Sequence, residues 1–374
     1  MSRLFIGNFS FEQGWNAGSN VTRQVLQLEA ELACIWLAVA EPGDEILCPQ
    51  EFGRHYWSRM QDLGCARIRP IRPDQLGDSR ADRIVPWGWT PAIRKISRQR
   101  KIPIDAPDQE TVWQANSRLF ASNLCAKLKC QLTGEGIGST LDEVLQLIEF
   151  HVQHQQAWIV KPNQGQAGRG QMRGMTLPAG KELVTLSRLL ERQGVLHVEP
   201  FLSREMEFGG QWEIPLQGVP RFLGLTQLFT DERGVYRGTG IPPHSLLTEQ
   251  LQQTLIETQM QAAIHLQSAG YFGPAGIDAM LFQSENGRQV RAIQDINARW
   301  TMGRIAWEWS RRLARIMAPA EDSGMSSGNS GIWQQTATTP AAHSLALSPT
   351  ELGGLSVKNR TWWTFSTKMP PSSC

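Results

Sequence analysis

The chain has 374 residues, with 37 basic and 35 acidic side chains and a formal net charge of +2, so it carries no polyanion footprint and no nucleic-acid partner is expected. Six scattered cysteines without a C-x-x-C pair, and no clustered histidines, exclude a disulfide framework and a structural zinc site. The longest apolar run, "LACIWLAVA" at 32–40, is far too short to span a bilayer and "MSRLFIGNFSF" has no cleavage site, so a soluble cytoplasmic protein of two or three subdomains is expected, without a membrane partner.

In chain order, "RLFIGN" reads as a strand and 21–40 as a helix with apolar residues at i, i+3 and i+4. "DEILCP", "ARIRPI" and "DRIVPWGW" read as further short strands, the last followed by a helix at 91–100 with Thr90 as N-cap and Pro91 in its first turn. This alternation predicts a parallel, doubly wound sheet, in which ligands sit at the carboxyl ends of the strands. The first turn lacks G-x-G-x-x-G, so a nicotinamide domain and a dehydrogenase are not expected. One helix is predicted over 110–130 and another over 138–153, where Thr140 and Glu143 have capping-box spacing. From "AWIVKP" (157–162) onward the strands have antiparallel spacing: 195–202, 207–216, 221–231 and 235–240. A long amphipathic helix at 246–270 leads to two strands, 273–283 and 289–300, joined by "SENGR". Beyond about 319 the chain is rich in Ser, Thr, Gly and Pro, the composition of a poorly ordered tail. The fourteen tryptophans, against three tyrosines, read first as bulky packing residues.

Two segments carry chemistry. In "KPNQGQAGRG" (161–170) a lysine ends a strand ahead of glycines 165, 168 and 170, whereas a P-loop lysine follows its glycines and directly precedes Ser or Thr. The arrangement suits a hairpin whose backbone amides close over phosphates while Lys161 supplies a cation; a plain glycine-rich turn is the alternative. At 276–303, Asp295 and Asn297 are two residues apart and face one way on a strand, with Asp278 opposite them across the hairpin. Such hard oxygen ligands suit Mg²⁺ carrying nucleotide phosphates. Arg299 continues the alternation and suits stabilisation of developing negative charge; the alternative is a polar strand face.

These segments resemble the ATP-grasp superfamily of carboxylate–amine ligases. The resemblance covers about 116–308 through "NSRLF", "IVKPNQGQAGRG", "HVEPFL", "GYFGPAGIDAMLF" and "QDINARWTMG", in the family's order. It implies a fold of class α/β plus α+β. A Rossmann-like pre-ATP-grasp domain at 1–112 would precede a two-subdomain ATP-grasp fold at 113–318, with a small lid subdomain at about 140–205 and a low-complexity tail at 319–374. The activity implied is ATP-dependent joining of a carboxylate to an amine through an acyl phosphate, releasing ADP and phosphate. A phosphotransferase on the same scaffold and a non-catalytic nucleotide-binding module are the alternatives. Implied partners are ATP, two Mg²⁺ ions or Mn²⁺ in their place, and small-molecule carboxylate and amine substrates; a homodimer is compatible.

Residue by residue, the resemblance places Arg118, Lys161, Gln164, Gly165, Gly168, Arg169 and Gly170 around the phosphates. Glu199, Phe201 and Leu202 would read adenine, and Glu205 or Glu207 would hold the ribose. Asp278, Asp295 and Asn297 would be the magnesium ligands, with Arg299 and Arg237 as catalytic cations. The chain departs from the family pattern twice, with Arg118 where many members have lysine and Asp295 where glutamate is usual.

Overall fold

The structure, a computed structural model, describes residues 1–15, 22–165, 170–230, 236–242 and 246–317, with two short paired segments at 345–346 and 364–365. Gly168, Arg169 and most of the expected tail lie outside the described residues. No helix among the described residues is long and apolar enough to cross a membrane.

Strands β1 (Arg3–Ile6), β2 (Glu45–Leu47), β3 (Arg69–Ile71) and β4 (Arg83–Pro86) form a parallel sheet in the order β3-β2-β1-β4. Around it lie α1 (Arg23–Leu32), α2 (Arg54–Asp62) and α3 (Pro91–Arg100). The expected helix over 21–40 starts where Thr22 accepts the Val25 N–H, then tightens to a 3₁₀ turn at Ala33–Ala38. All six residues of that turn are buried, so tertiary packing, not one amphipathic stripe, sets its path. Helix α2 was not anticipated, since only Tyr56 and Met60 of this polar segment are buried. The Thr90 hydroxyl accepts the Ile93 N–H as expected.

The helix expected over 110–130 is two, α4 (Gln109–Ala115) and α5 (Arg118–Leu128). Ser117 and Asn116 separate them by bonding backbone. The Ser117 hydroxyl accepts the Phe120 N–H, and the Asn116 amide donates to the Val112 carbonyl, a competition that short polar side chains often win against helix continuation. Next come β5 (Gly136–Gly138), α6 (Leu141–Gln153) with the Thr140–Glu143 capping box formed, β6 (Trp158–Pro162), β7 (Met172–Gly174), α7 (Lys181–Gln193) and β8 (Leu196–Pro200). The four strands make a small antiparallel sheet, β5-β8-β6-β7, with a core of its own built on Val144, Ile148, Trp158, Leu186 and Val198.

The large sheet has the order β11-β10-β9-β12-β13 and is antiparallel. Its strands are β9 (Arg204–Ile214), β10 (Arg221–Thr230), β11 (Tyr236–Gly240), β12 (Gly273–Ser284) and β13 (Gly287–Asn297), with helices α8 (Glu249–Ser268) and α9 (Met302–Met317). Its core is continuous with that of the parallel sheet: Phe5, Trp36 and Trp87 belong to the same apolar cluster as Trp212, Ile277 and Trp309. Trp36, Trp87, Trp212 and Trp309 are thus packing residues, as read from sequence. The chain is a mixed α/β fold of several sheets.

Gln259 of α8 is fully buried and bridges the large sheet. It accepts from Trp212 Nε1 at 3.1 Å and donates to the Ile277 and Ala292 carbonyls at 3.0 and 2.8 Å. A Cβ at Gly210 would lie 1.9 Å from Gln259 Oε1. Gly210→Ala should therefore destabilise the fold by about 2–3 kcal/mol, through overpacking and a lost buried hydrogen bond, measured by urea denaturation; parental stability would show that the helix yields.

Candidate functional site

A cavity of about 370 Å³ opens between the small and large sheets, with one edge on the loop after β1. Lys161 and Gly165 line it from the small sheet, with Glu199, Phe201 and Leu202 beyond the neighbouring strand; Arg118 enters from the first turn of α5. Glu207, Asp278, Asp295, Asn297 and Arg299 line it from the large sheet. Residues as far apart in the sequence as Glu12 and Arg299 thus converge. Four of the expected site residues do not line the cavity. The Gln164 side chain donates to the Trp113 carbonyl at 3.1 Å. Gly170 lies at an exposed turn with φ +73°. Glu205 is ion-paired to Arg288 at 2.6 Å on the outside of the sheet, and Arg237 is exposed on β11. Of the two glutamates left open for the ribose, only Glu207 reaches the cavity, held by Arg204 at 2.9 Å and by the Thr230 hydroxyl at 2.5 Å.

Asp278 and Asp295 are ladder partners of β12 and β13, and Gly276 pairs with Asn297, so the hairpin brings the three side chains to one face. Asn297 donates its amide to Asp278 Oδ2 at 2.9 Å, while its oxygen accepts from Arg299 at 3.1 Å. Burial and then the Asp295 charge push the Asp278 carboxyl up to about 7. Burial acts the same way on Asp295, but Arg118, at 2.9 Å, and Lys161 outweigh it and hold that carboxyl below its usual range. Of the two facing carboxylates only Asp295 is ion-paired to a cation, Asp278 ionises only at a cost, and the donor set is hard oxygen. These properties fit a divalent cation such as Mg²⁺.

The sign of the proton effect follows. Asp278 binds its proton more tightly folded than unfolded, so its contribution to stability is full below about pH 4 and is lost as the pH rises to about 7. A cation must displace that proton. The rise in melting temperature given by Mg²⁺ with ADP should be greater at about pH 8 than at about pH 6; an equal rise would argue against Asp278 as a ligand.

The cations are not free. Lys161 Nζ lies 2.5 Å from Glu199 Oε1, both buried. Glu199 Oε2 accepts from Arg291 at 2.8 Å, and Arg291 also reaches Glu135 at 3.0 Å. His197, the cross-strand partner of Lys161, completes the group 2.9 Å from Glu135. Burial alone would raise the Glu199 carboxyl; Arg291 and Lys161 hold it well below the ordinary range. The Glu199 carboxylate is thus the hub of an ion network, not a free acceptor. At the expected hinge the Phe201 N–H is used by the Ala157 carbonyl at 2.7 Å, and the Leu202 N–H has no partner among the described residues. Arg118 Nη1 donates to the Pro162 carbonyl at 2.5 Å, so the arginine ties α5 to both sheets.

Sequence reasoning missed Glu12, Glu135, His197 and Arg291. Glu12 pairs with Arg299 at 2.5 Å, and Arg299 also lies over the Phe11 ring at 5.7 Å. Nothing local links positions 12 and 299. A signal did exist for His197, which sits two residues from Glu199 on one strand face, and for Arg291, a charge in the middle of an apolar strand.

No protein-family model matches the chain, and no curated protein matches it in sequence. Solved structures do match in fold. Biotin carboxylase from Campylobacter jejuni, determined as a beta-gamma-ATP complex, has a TM-score of 0.54 at 14% identity over 86% of this chain and 72% of that one. D-alanyl-alanine synthetase A from Vibrio cholerae has a TM-score of 0.52 at 12% identity over 85% and 94%. The biotin carboxylase domain dimer of 2-oxoglutarate carboxylase from Hydrogenobacter thermophilus, in complex with MgADP, ADP and bicarbonate, has a TM-score of 0.50 at 14% identity over 84% and 69%. These matches, at 12–14% identity, show a fold shared with those proteins.

Proposed function

We propose that the protein is an ATP-dependent ligase that activates a carboxylate as an acyl phosphate and passes the acyl group to an amine, releasing ADP and phosphate. The observation that carries this reading is the convergence of Asp278, Asp295 and Asn297 with Lys161 on one cavity. In this reading the parallel sheet at 1–112 is the Rossmann-like domain that precedes the ATP-grasp unit of 113–318, and the small sheet is its lid.

Adenine would lie against Phe201, with the free Leu202 N–H as a hydrogen-bond donor, and Glu207 would accept from the ribose. Asp278, Asp295 and Asn297 would hold Mg²⁺, which when bound neutralises phosphate charge during in-line transfer. Lys161 and Arg118 supply positive charge beside them. Arg299, fixed by Glu12 and stacked on Phe11, faces the negative charge that develops on the attacked carboxylate. No side chain need form a covalent intermediate: the work is positioning and charge stabilisation in a site shielded from water.

ADP release would be screened over pooled carboxylate and amine pairs, with amide product identified by mass. Nucleotide-dependent amide formation supports a ligase; a phosphorylated acceptor without amide supports a phosphotransferase. One observation favours a second reading, a nucleotide-binding module without turnover: Lys161 and Arg118 are each already paired with a carboxylate. Binding of MgATP by calorimetry with no phosphate release would select it.

A further inference from the structure

We propose that a second cavity, beside the first, is the acceptor subsite and takes a carboxylate bearing at least one further negative charge; this rests on the ligase reading and names its substrate class. The cavity measures about 530 Å³, within the range of small-ligand sites. One wall is the edge strand β4, continued by Trp87 and Trp89; a second is formed by the ends of β9 and β12; the third is α9. Arg299 lines both cavities, so one end of an acceptor seated here meets the residue that faces the phosphates.

Charge identifies the occupant. Arg304, Glu308, Arg311, Arg312 and Arg315 line the cavity from one stripe of α9, at the i, i+4, i+7, i+8 and i+11 spacing of a helix face. The opposite stripe, with Ile305 and Trp309, is buried. Seven arginines line the cavity against four carboxylates. Some are satisfied internally. Arg304 is held by Glu213 and Glu308 at 2.9 and 2.8 Å, Arg312 by the Ala40 carbonyl at 2.7 Å, and Arg3 by Asp44 at 2.5 Å. Arg83, Arg311 and Arg315 have no ionic partner among the described residues.

These three come from two separate elements, β4 and α9, that both line the cavity. Guanidinium forks match carboxylate geometry. From Arg304 to Arg315 the stripe runs about 16 Å along the helix, so an extended acceptor can place its reacting carboxylate at Arg299 and a second anion at Arg311 and Arg315. The indole faces of Trp87, Trp89 and Trp300 offer apolar cover for what joins them.

The same tryptophans report binding. Intrinsic fluorescence would be titrated with L-glutamyl-L-glutamate and with L-glutaminyl-L-glutamine, which are alike in size and differ by two charges. The acidic dipeptide should bind at least about ten-fold more tightly at low salt, and its advantage should shrink as salt is added. Arg311→Glu with Arg315→Glu should remove the advantage, as should Arg83→Glu alone on β4, while MgATP affinity stays parental. All three positions are exposed, and a parental melting temperature confirms folding. Equal binding of the two dipeptides, binding of neither, or undiminished preference in the charge-reversed variants would overturn the proposal. Failure of the parent to bind MgATP would instead overturn the ligase reading, and the dipeptide titration does not depend on it.

Discussion

On the ligase reading, Asp295→Asn should lower ADP release on the order of 10³-fold, the effect of removing about 4 kcal/mol of charge stabilisation from phosphoryl transfer. The side chain keeps its volume and loses its charge. Two consequences follow from the geometry. A divalent ion held there would lose an anionic ligand, and Arg118, which donates to Asp295 Oδ2 at 2.9 Å, would keep at most a neutral amide oxygen in place of its carboxylate partner. The Asp278 carboxyl, raised in part by the Asp295 charge, should move back toward ordinary values, so the pH dependence of Mg²⁺ stabilisation should flatten in the same variant. Turnover at the parental rate would place the ion elsewhere. Nucleotide affinity, measured separately by calorimetry, should fall far less than turnover, because Glu207 and the Leu202 N–H are untouched.

Arg291→Met should cost about 3–5 kcal/mol of stability, the penalty of leaving buried carboxylates without their cation. Arg291 is 4% exposed and is the shared partner of Glu135 and Glu199. Its loss would leave Lys161 and His197 to neutralise both. Arg291→Lys should recover only part, since a single ammonium does not reproduce a fork that holds two carboxylates and the Ile293 carbonyl. The double variant Arg291→Met with Glu135→Gln should be more stable than Arg291→Met alone, because it removes one of the stranded charges. Urea denaturation gives these differences, and an Arg291→Met protein within 1 kcal/mol of the parent, against about 3–5 expected, would show that water or a counterion reaches the network.

Much of this site could be read from sequence for a definite reason. Period-two alternation fixes which side chains share a strand face, so Asp295 and Asn297 had to point together, and the turn at 284–287 brought Asp278 opposite them. Capping chemistry at Thr90 and Thr140 is equally local. What stayed hidden depends on tertiary proximity. The Glu12–Arg299 pair joins residues 287 apart, and the break at Asn116 is stabilised partly by Ala298, 182 residues away. Periodicity also misled where burial is complete, as at Ala33–Ala38, because a segment surrounded by core has no polar face to mark its period. Helix α9, whose stripe of arginines lines the second cavity, was passed over for a related reason: its pattern merges with the motif "QDINARWTMG" that precedes it.

The small sheet keeps its greasy interior to itself, and among the described residues no apolar cluster joins it to the body. Polar groups tie it there: Arg118 donates to the Pro162 carbonyl, and Arg291 pairs with Glu135 and Glu199. Swinging this unit outward would bare groups that water hydrates readily instead of sticky hydrocarbon. On the ligase reading, a gaping form would admit nucleotide and discharge ADP without inviting aggregation.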